Sequence, residues 1–284
     1  MTNLKDRFKE CIELMQHDVA VFEAKYQGRF AEQPHVGLGN RKTRCVNEAT
    51  LPIITCHPSC LEKCAGTCYV LAICTKPRPN CRKCEAKNTV LRRIDPNAYY
   101  EHFYKEAERL RLPIRLSDGG DFENAEQVEA CKAAARLHPM VHAILYTKRI
   151  ELLSALVKRP ANLHVRYSAW KGDEAGEAEA RRLGFDVTHV VWDGSGNCPY
   201  QHSLAKFNLR KKELAAGLRA QGIPVKGANR RAEKQAEQDV HVWHCRDCAS
   251  HGCGCCGTGD IRFNVVGESG WAERAEIRRP LQGA

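Results

Sequence analysis

Residues 180–191 read ARRLGFDVTHVV. A charged, helix-forming run closes at Gly184, and an apolar, β-branched run begins almost at once. The stretch LRAQGIPVKG (218–227) repeats the same junction at Gly222. Working outward, short apolar runs recur at LPIIT (51–55), PIRLS (113–117), VHAILY (141–146), NLHVRYS (162–168), VTHVVW (187–192) and IPVKG (223–227). Helical patterns occupy 97–111, 124–137, 149–158, 174–184 and 203–221 between them. Strands alternating with helices predict parallel βαβ units joined by right-handed crossovers. Six such units fall short of an eight-fold barrel. The expected fold is therefore α/β, a partial (β/α)6 barrel-like domain, with a doubly wound sheet as the other arrangement. In both, functional groups belong at the carboxyl ends of the strands.

The flanks differ in character. Residues 1–48 hold one amphipathic helix, with Phe8, Cys11, Leu14 and Met15 on one side, followed by a polar connection. Residues 49–227 form the barrel-like domain. Residues 228–284 form a cysteine-rich C-terminal extension in which IRFNVVG (261–267) can add a final strand.

The N-terminus MTNLKDRFKECIELM is charged and has no apolar core of a signal peptide, and no run approaches a membrane span. A cytoplasmic protein without membrane contact is expected. Thiols stay reduced there, so the 16 cysteines among 284 residues point to metal or cluster ligation before disulfides. The net charge of +10 is compatible with a nucleic-acid partner. The densest basic group, NLRKKELAAGLRAQ (208–221), has helical spacing and reads equally well as a solvated face.

The first cysteine group is CHPSCLEKCAGTCYV (56–70), with Cys56, Cys60, Cys64 and Cys68 at every fourth position. On one straight helix the outer two would lie about 18 Å apart, too far for one cluster. Pro58 and Gly66 indicate a loop, and a loop can wrap three or four thiolates around a [4Fe-4S] cluster. Zinc commonly uses CxxC knuckles, which this stretch lacks.

Cys74, Cys81 and Cys84 follow in CTKPRPNCRKC. Cys81-x2-Cys84 has the usual spacing of a hairpin chelate, open to zinc, to an extra cluster ligand or to incidental placement. The last group, HCRDCASHGCGCCG, carries Cys245, Cys248, Cys253, Cys255 and Cys256, with Cys198-Pro199 as a distant candidate. Glycines let this backbone fold tightly round a metal. His244 and His251 can complete zinc, whereas Cys198 with C-terminal cysteines can hold a second [4Fe-4S] cluster. Cys11, Cys45 and Cys131 read as packing residues.

DGGDF (118–122) ends the second apolar run and precedes a helix capped by Asn124. Two glycines let the backbone approach a ligand closely, and Asp118 and Asp121 add acceptors for an amine or hydroxyl. A plain strand-to-helix turn is the other reading. Lys148, Arg166 and Ser168, at strand ends, suit a phosphate or carboxylate, or are solvated or packing residues.

Cysteines after the first strand and a glycine-acid turn after the second resemble the layout of radical S-adenosylmethionine (SAM) enzymes. That resemblance implies a [4Fe-4S] cluster on the cysteine loop and SAM contacts at Gly119, Gly120 and Asp121. The family spaces its three cysteines by three and then two residues, with an aromatic before the last. Here the last gap has three residues and Tyr69 follows Cys68. A closer resemblance is to the phage gene product 88-like family. It rests on CAGTCY (64–69), RPNCRKCEAKN (78–88), SDGGDF (117–122), YTKR (146–149) and HCRDC (244–248), over roughly residues 50–256. This second resemblance implies the layout and the cluster, not a reaction.

Together these readings predict an iron–sulfur protein, a radical SAM-like enzyme acting on a small-molecule or nucleic-acid substrate and drawing on an electron donor. The competing classes are a non-catalytic zinc-binding protein that touches nucleic acid, and a redox iron–sulfur protein that does not use SAM.

Overall fold

The computed structural model describes residues 4–38, 45–52, 54–57, 79–169, 172–191, 199–240 and 261–264. They fall into two compact units, one containing the described residues up to Thr188 and the other those from His189 onward.

The larger unit is mixed α/β. Its elements are α1 (Leu4–Tyr26), β1 (Gly37–Leu38), β2 (Val46–Ala49), α2 (Pro79–Ile94), α3 (Pro96–Leu110), β3 (Ile114–Gly119), α4 (Ala125–Leu137) and β4 (Ala143–Thr147). A 3₁₀ turn (Ile150–Leu152), α5 (Leu153–Leu156), β5 (Leu163–Ala169), α6 (Glu174–Arg182) and the start of β6 (Asp186–Val191) complete it. The strands lie in chain order, β1-β2-β3-β4-β5-β6, without the reversal of a doubly wound sheet. β1 runs antiparallel to β2, whereas β2, β3, β4 and β5 are mutually parallel. The sheet is open, and no barrel closes. No helix among the described residues is long and apolar enough to cross a membrane.

Alternating side chains make the core: Ile114, Leu116, Ala143, Leu145, Leu163, Val165 and Tyr167 of the strands are buried. An aromatic helix closes over them. In α3, Tyr99 and Tyr100 meet edge to face at 5.2 Å, and Phe103 lies 5.1 Å from Tyr99. Asp95 caps this helix by accepting from the Ala98 N–H at 2.9 Å, and Pro96 fits the first turn, whose N–H has no partner in the helix. Asn124 caps α4 as expected, accepting from the Gln127 N–H at 3.0 Å. Cys11, Cys45 and Cys131 are buried, as packing residues should be. In α1, however, Leu14 is exposed, and Met15, Val19 and Tyr26 join Cys11 in the core.

Three elements differ from expectation. The expected strand at LPIIT lies earlier in the chain: β2 is Val46–Ala49, and the described residues 51, 52, 54 and 55 form a turn. Pro52 has no N–H for a ladder, and the Thr55 N–H bonds the Leu51 carbonyl at 3.2 Å. Residues 79–94 form a helix that no periodicity announced. IPVKG is likewise not a strand. In the smaller unit α7 (Pro199–Ala220) is followed by Gly222, at φ +81°, and then α8 (Val225–Asp239), which starts straight after Pro224. A short strand, β7 (Ile261–Asn264), belongs to this unit.

Candidate functional site

The parallel strands bring their carboxyl ends to one edge of the sheet, and DGGDF lies there between neighbours. β3 leaves the sheet through a strained bend. Ser117 has φ +53°, and its N–H donates to the Glu48 carboxylate at 2.7 Å. Such a conformation costs a non-glycine residue about 1 kcal/mol or more, so a fixed partner must hold it. Glu48 is fully buried and also accepts from the Tyr99 hydroxyl at 2.8 Å. The fully buried Arg92 stands 3.6 Å from it. Asp118 is tied to Asn47 at 3.0 Å and to Arg115 at 3.0 Å.

Gly120 comes next, at φ +77°, packed on two threonines. A Cβ there would fall 2.2 Å from both Thr50 Oγ1 and Thr55 Oγ1. Only glycine fits that contact. The threonines bond each other at 3.1 Å, the Thr50 N–H donates to the Gly119 carbonyl at 2.9 Å, and the Asp121 N–H donates to Thr55 Oγ1 at 3.2 Å. The Thr50–Thr55 turn is thereby fastened to the glycine turn, and Cys56 is the next residue along. Helix α2 holds the other side: Asn88 Nδ2 donates to the Ala49 carbonyl at 3.0 Å, and Thr89 Oγ1 accepts from the Leu51 N–H at 3.0 Å.

Asp121 is buried and keeps its carboxylate inside the protein. One oxygen accepts from the Phe122 N–H at 2.8 Å; the other accepts from Thr147 Oγ1 at 3.0 Å and the Lys148 N–H at 2.9 Å. Burial pushes its pKa up to about 6, against the opposing pull of these donors and of Arg149. Arg92 donates to the Asp121 carbonyl at 2.7 Å, and Arg149 to the Phe122 carbonyl at 2.9 Å. The turn is thus clasped from α2 and from the end of β4.

Lys148 and Ser168 do come together, at the ends of neighbouring strands β4 and β5. Lys148 Nζ donates to Ser168 Oγ at 2.8 Å and to its carbonyl at 3.0 Å. Arg166 does not join them; it is buried and stands 3.5 Å from Asp186. Gly119, Gly120 and Asp121 therefore share one edge with Cys56, Lys148 and Ser168. Glu48, Thr50, Thr55, Arg92, Thr147 and Arg149 support this edge and were not singled out in the sequence. The nearest signal was the YTKR motif, which contains two of them.

Of the expected metal ligands, only Cys56 belongs to the described residues; it is a half-buried free thiol. Cys60, Cys64, Cys68, Cys198, Cys245, Cys248, Cys253, Cys255 and Cys256 lie outside them, as does Cys74. Among the described residues no group of three or more His, Cys, Asp or Glu side chains is placed to hold a metal ion. Cys81 and Cys84, whose spacing left ligation and incidental placement equally open, sit one turn apart in the first turns of α2 rather than in a hairpin. Burial raises the Cys84 pKa.

In a comparison with protein families, the model of gene product 88 matches residues 19–259. The chain belongs to the gene product 88 family. The match covers the whole candidate edge and the five motifs on which the family resemblance rests, and it makes the protein phage-related. Comparison of the chain with curated proteins and with solved structures gave no match.

Proposed function

We propose that the protein is an iron–sulfur enzyme of radical SAM-like architecture, built on a partial (β/α)6 barrel. The observation that carries the proposal is the lock between two turns. Thr50 and Thr55, just before Cys56, are bonded to Gly119 and Asp121 at the end of the next parallel strand. This puts the start of the cysteine series beside the glycine turn, at the strand ends where such folds keep their chemistry.

In this reading Cys60, Cys64 and Cys68, with Cys56, hold a [4Fe-4S] cluster. Thiolates are the donors such a cluster needs. Cys198 and three of Cys245, Cys248, Cys253, Cys255 and Cys256 hold an auxiliary cluster. Gly119, Gly120 and Asp121 form the SAM contact. Because the Asp121 carboxylate is bonded internally, the glycine backbone meets the ligand and Asp121 fixes its shape. Lys148 and Ser168 face the substrate. The bound cofactors supply one-electron cleavage of SAM and hydrogen abstraction; the protein supplies position and exclusion of water. A cytoplasmic setting and an electron donor are part of the reading.

Reductive incubation of anaerobically prepared protein with SAM tests it. Formation of 5′-deoxyadenosine, abolished in a Cys60→Ala/Cys64→Ala/Cys68→Ala variant, is the expected result. A loaded cluster without that product would leave a redox protein, and a zinc-only protein would sink the proposal.

A further inference from the structure

The smaller unit carries a charged surface that the proposed chemistry does not use. Helices α7 and α8 pack against each other, joined through a tight turn at Gly222. Their contact is made of small residues: Ala215 faces inward on α7, and Ala228, Ala232 and Ala236 recur every fourth residue along α8. This packing buries the alanine seam, and the exposed faces are mostly basic, with Leu209 and Val225 exposed among the cations. Arg210 is paired with Asp239 at 2.7 Å and Lys211 with Glu233 at 3.2 Å. Lys206, Lys212, Arg219, Lys226, Arg230 and Lys234 are exposed and make no ion pair among the described residues.

Some of these cations frame a cleft. Asn208, Lys211, Lys212, Arg219 and Asn229 line a space of about 450 Å³ floored by Ala215. Asn208, Lys212, Ala215 and Arg219 follow one another at three- and four-residue steps, so they share one face of α7. Lys212 and Arg219 are separated along the axis by about 10 Å. Unpaired side chains of this kind are repelled by one another and gain by meeting an anion. The cleft offers ammonium, guanidinium and amide donors together, the groups that hold phosphate oxygens.

We propose that the α7–α8 hairpin docks duplex DNA through its phosphates, with Lys212, Arg219 and the cleft between the helices as the main contact. DNA presents one charge per ~1.7 Å of its axis, so a 10 Å stripe meets several phosphates at once. Among the described residues no aromatic side chain lines the cleft, and single-strand binders rely on such a stacking platform. A helix of about 10–12 Å diameter matches the wide major groove of B-form DNA and not the narrow one of an RNA duplex. A membrane surface would need a continuous apolar face outward; on this hairpin Leu209 and Val225 are exposed, but they stand among cations and form no such face.

The test uses the full chain and a fluorescein-labelled DNA duplex, read by fluorescence anisotropy at several salt concentrations. The variant is Lys212→Ala/Arg219→Ala/Arg230→Ala, and the control is Lys105→Ala/Arg182→Ala, exposed cations of the larger unit. Circular dichroism checks that both keep their helices; alanine is a strong helix former, so they should. The expected result is binding weakened about tenfold or more in the first variant and within about twofold of the parent in the control. The slope of log K against log salt should become shallower by about three, one step per lost contact. Equal loss in both variants overturns the proposal. So does tighter binding of single-stranded DNA, duplex RNA or phosphatidylserine vesicles than of duplex DNA.

Discussion

Gly120→Ala is the sharpest test of how the candidate edge is held together. The new methyl would fall 2.2 Å from two hydroxyl oxygens, those of Thr50 and Thr55, on a backbone at φ +77°. The conformation alone costs an alanine about 1 kcal/mol. Moving the threonines away breaks their mutual bond of 3.1 Å, the bond from Thr55 to the Leu51 carbonyl at 2.8 Å and the bond from the Asp121 N–H at 3.2 Å. At about 1 kcal/mol net for each, the sum is about 4 kcal/mol. For a unit of this size, that is a fall of roughly 8–16 °C in the melting temperature. Urea unfolding followed by circular dichroism and tyrosine fluorescence measures it. The same substitution in a Thr50→Ala/Thr55→Ala background should cost mainly the backbone share, about 1 kcal/mol, because the two hydroxyls are gone and only the residue-50 carbonyl, at 3.2 Å, still crowds the methyl. If Gly120→Ala costs less than about 0.5 kcal/mol, or as much without the threonines as with them, the packing argument is wrong.

Two further substitutions probe the buried charges around the same turn. Asp121 has its folded pKa raised from 3.8 to about 6, so the native protein binds more protons than the unfolded chain between those values. Its contribution to stability therefore falls as pH rises from 4 to 6, by about 3 kcal/mol, and stays lost above. Comparing urea midpoints of the parent and Asp121→Asn across that range should show the parent losing ground; a constant difference would contradict the assignment. Arg92→Met strands the Glu48 carboxylate in the core and should cost about 3–5 kcal/mol, whereas Glu48→Met/Arg92→Met should cost clearly less than the two single changes added. Strict additivity would show that the two groups do not interact.

Much of the larger unit was legible because its elements obey one periodicity each. The runs at PIRLS, VHAILY and NLHVRYS carry apolar residues with no competing charge at the inward positions, and Asn124 marks its helix by the chemistry of its side chain. β2 was misplaced for the opposite reason. VNEA has Glu48 at its centre, and a carboxylate is unreadable as a core residue until Arg92, Tyr99 and the bend at Ser117 are seen around it. The periodicity of α2 was illegible because its inward face mixes Val90 and Leu91 with Asn88, Thr89 and Arg92, so no clean apolar stripe exists. α8 was hidden by Pro224 and Val225, which read as a strand. The repeat of Ala228, Ala232 and Ala236, four residues apart within a run of strong helix formers, was the informative signal.

The candidate edge shows the same division. The glycines of DGGDF announced a close approach in the sequence. What approaches them is a pair of threonines from another turn, and no local pattern encodes that partnership. Tertiary contacts decide which function a glycine serves. Here they make Gly120 the joint between the turn that leads to Cys56 and the turn proposed to meet SAM.

The central claim is that the cysteine series starting at Cys56 holds an iron–sulfur cluster. Iron, acid-labile sulfide and zinc measured on protein purified without oxygen test it most directly. The account predicts a brown protein with iron and sulfide in matched amounts, the larger part lost in Cys60→Ala/Cys64→Ala/Cys68→Ala while the fold persists. A colourless protein carrying zinc and no sulfide, before and after anaerobic reconstitution, would contradict it.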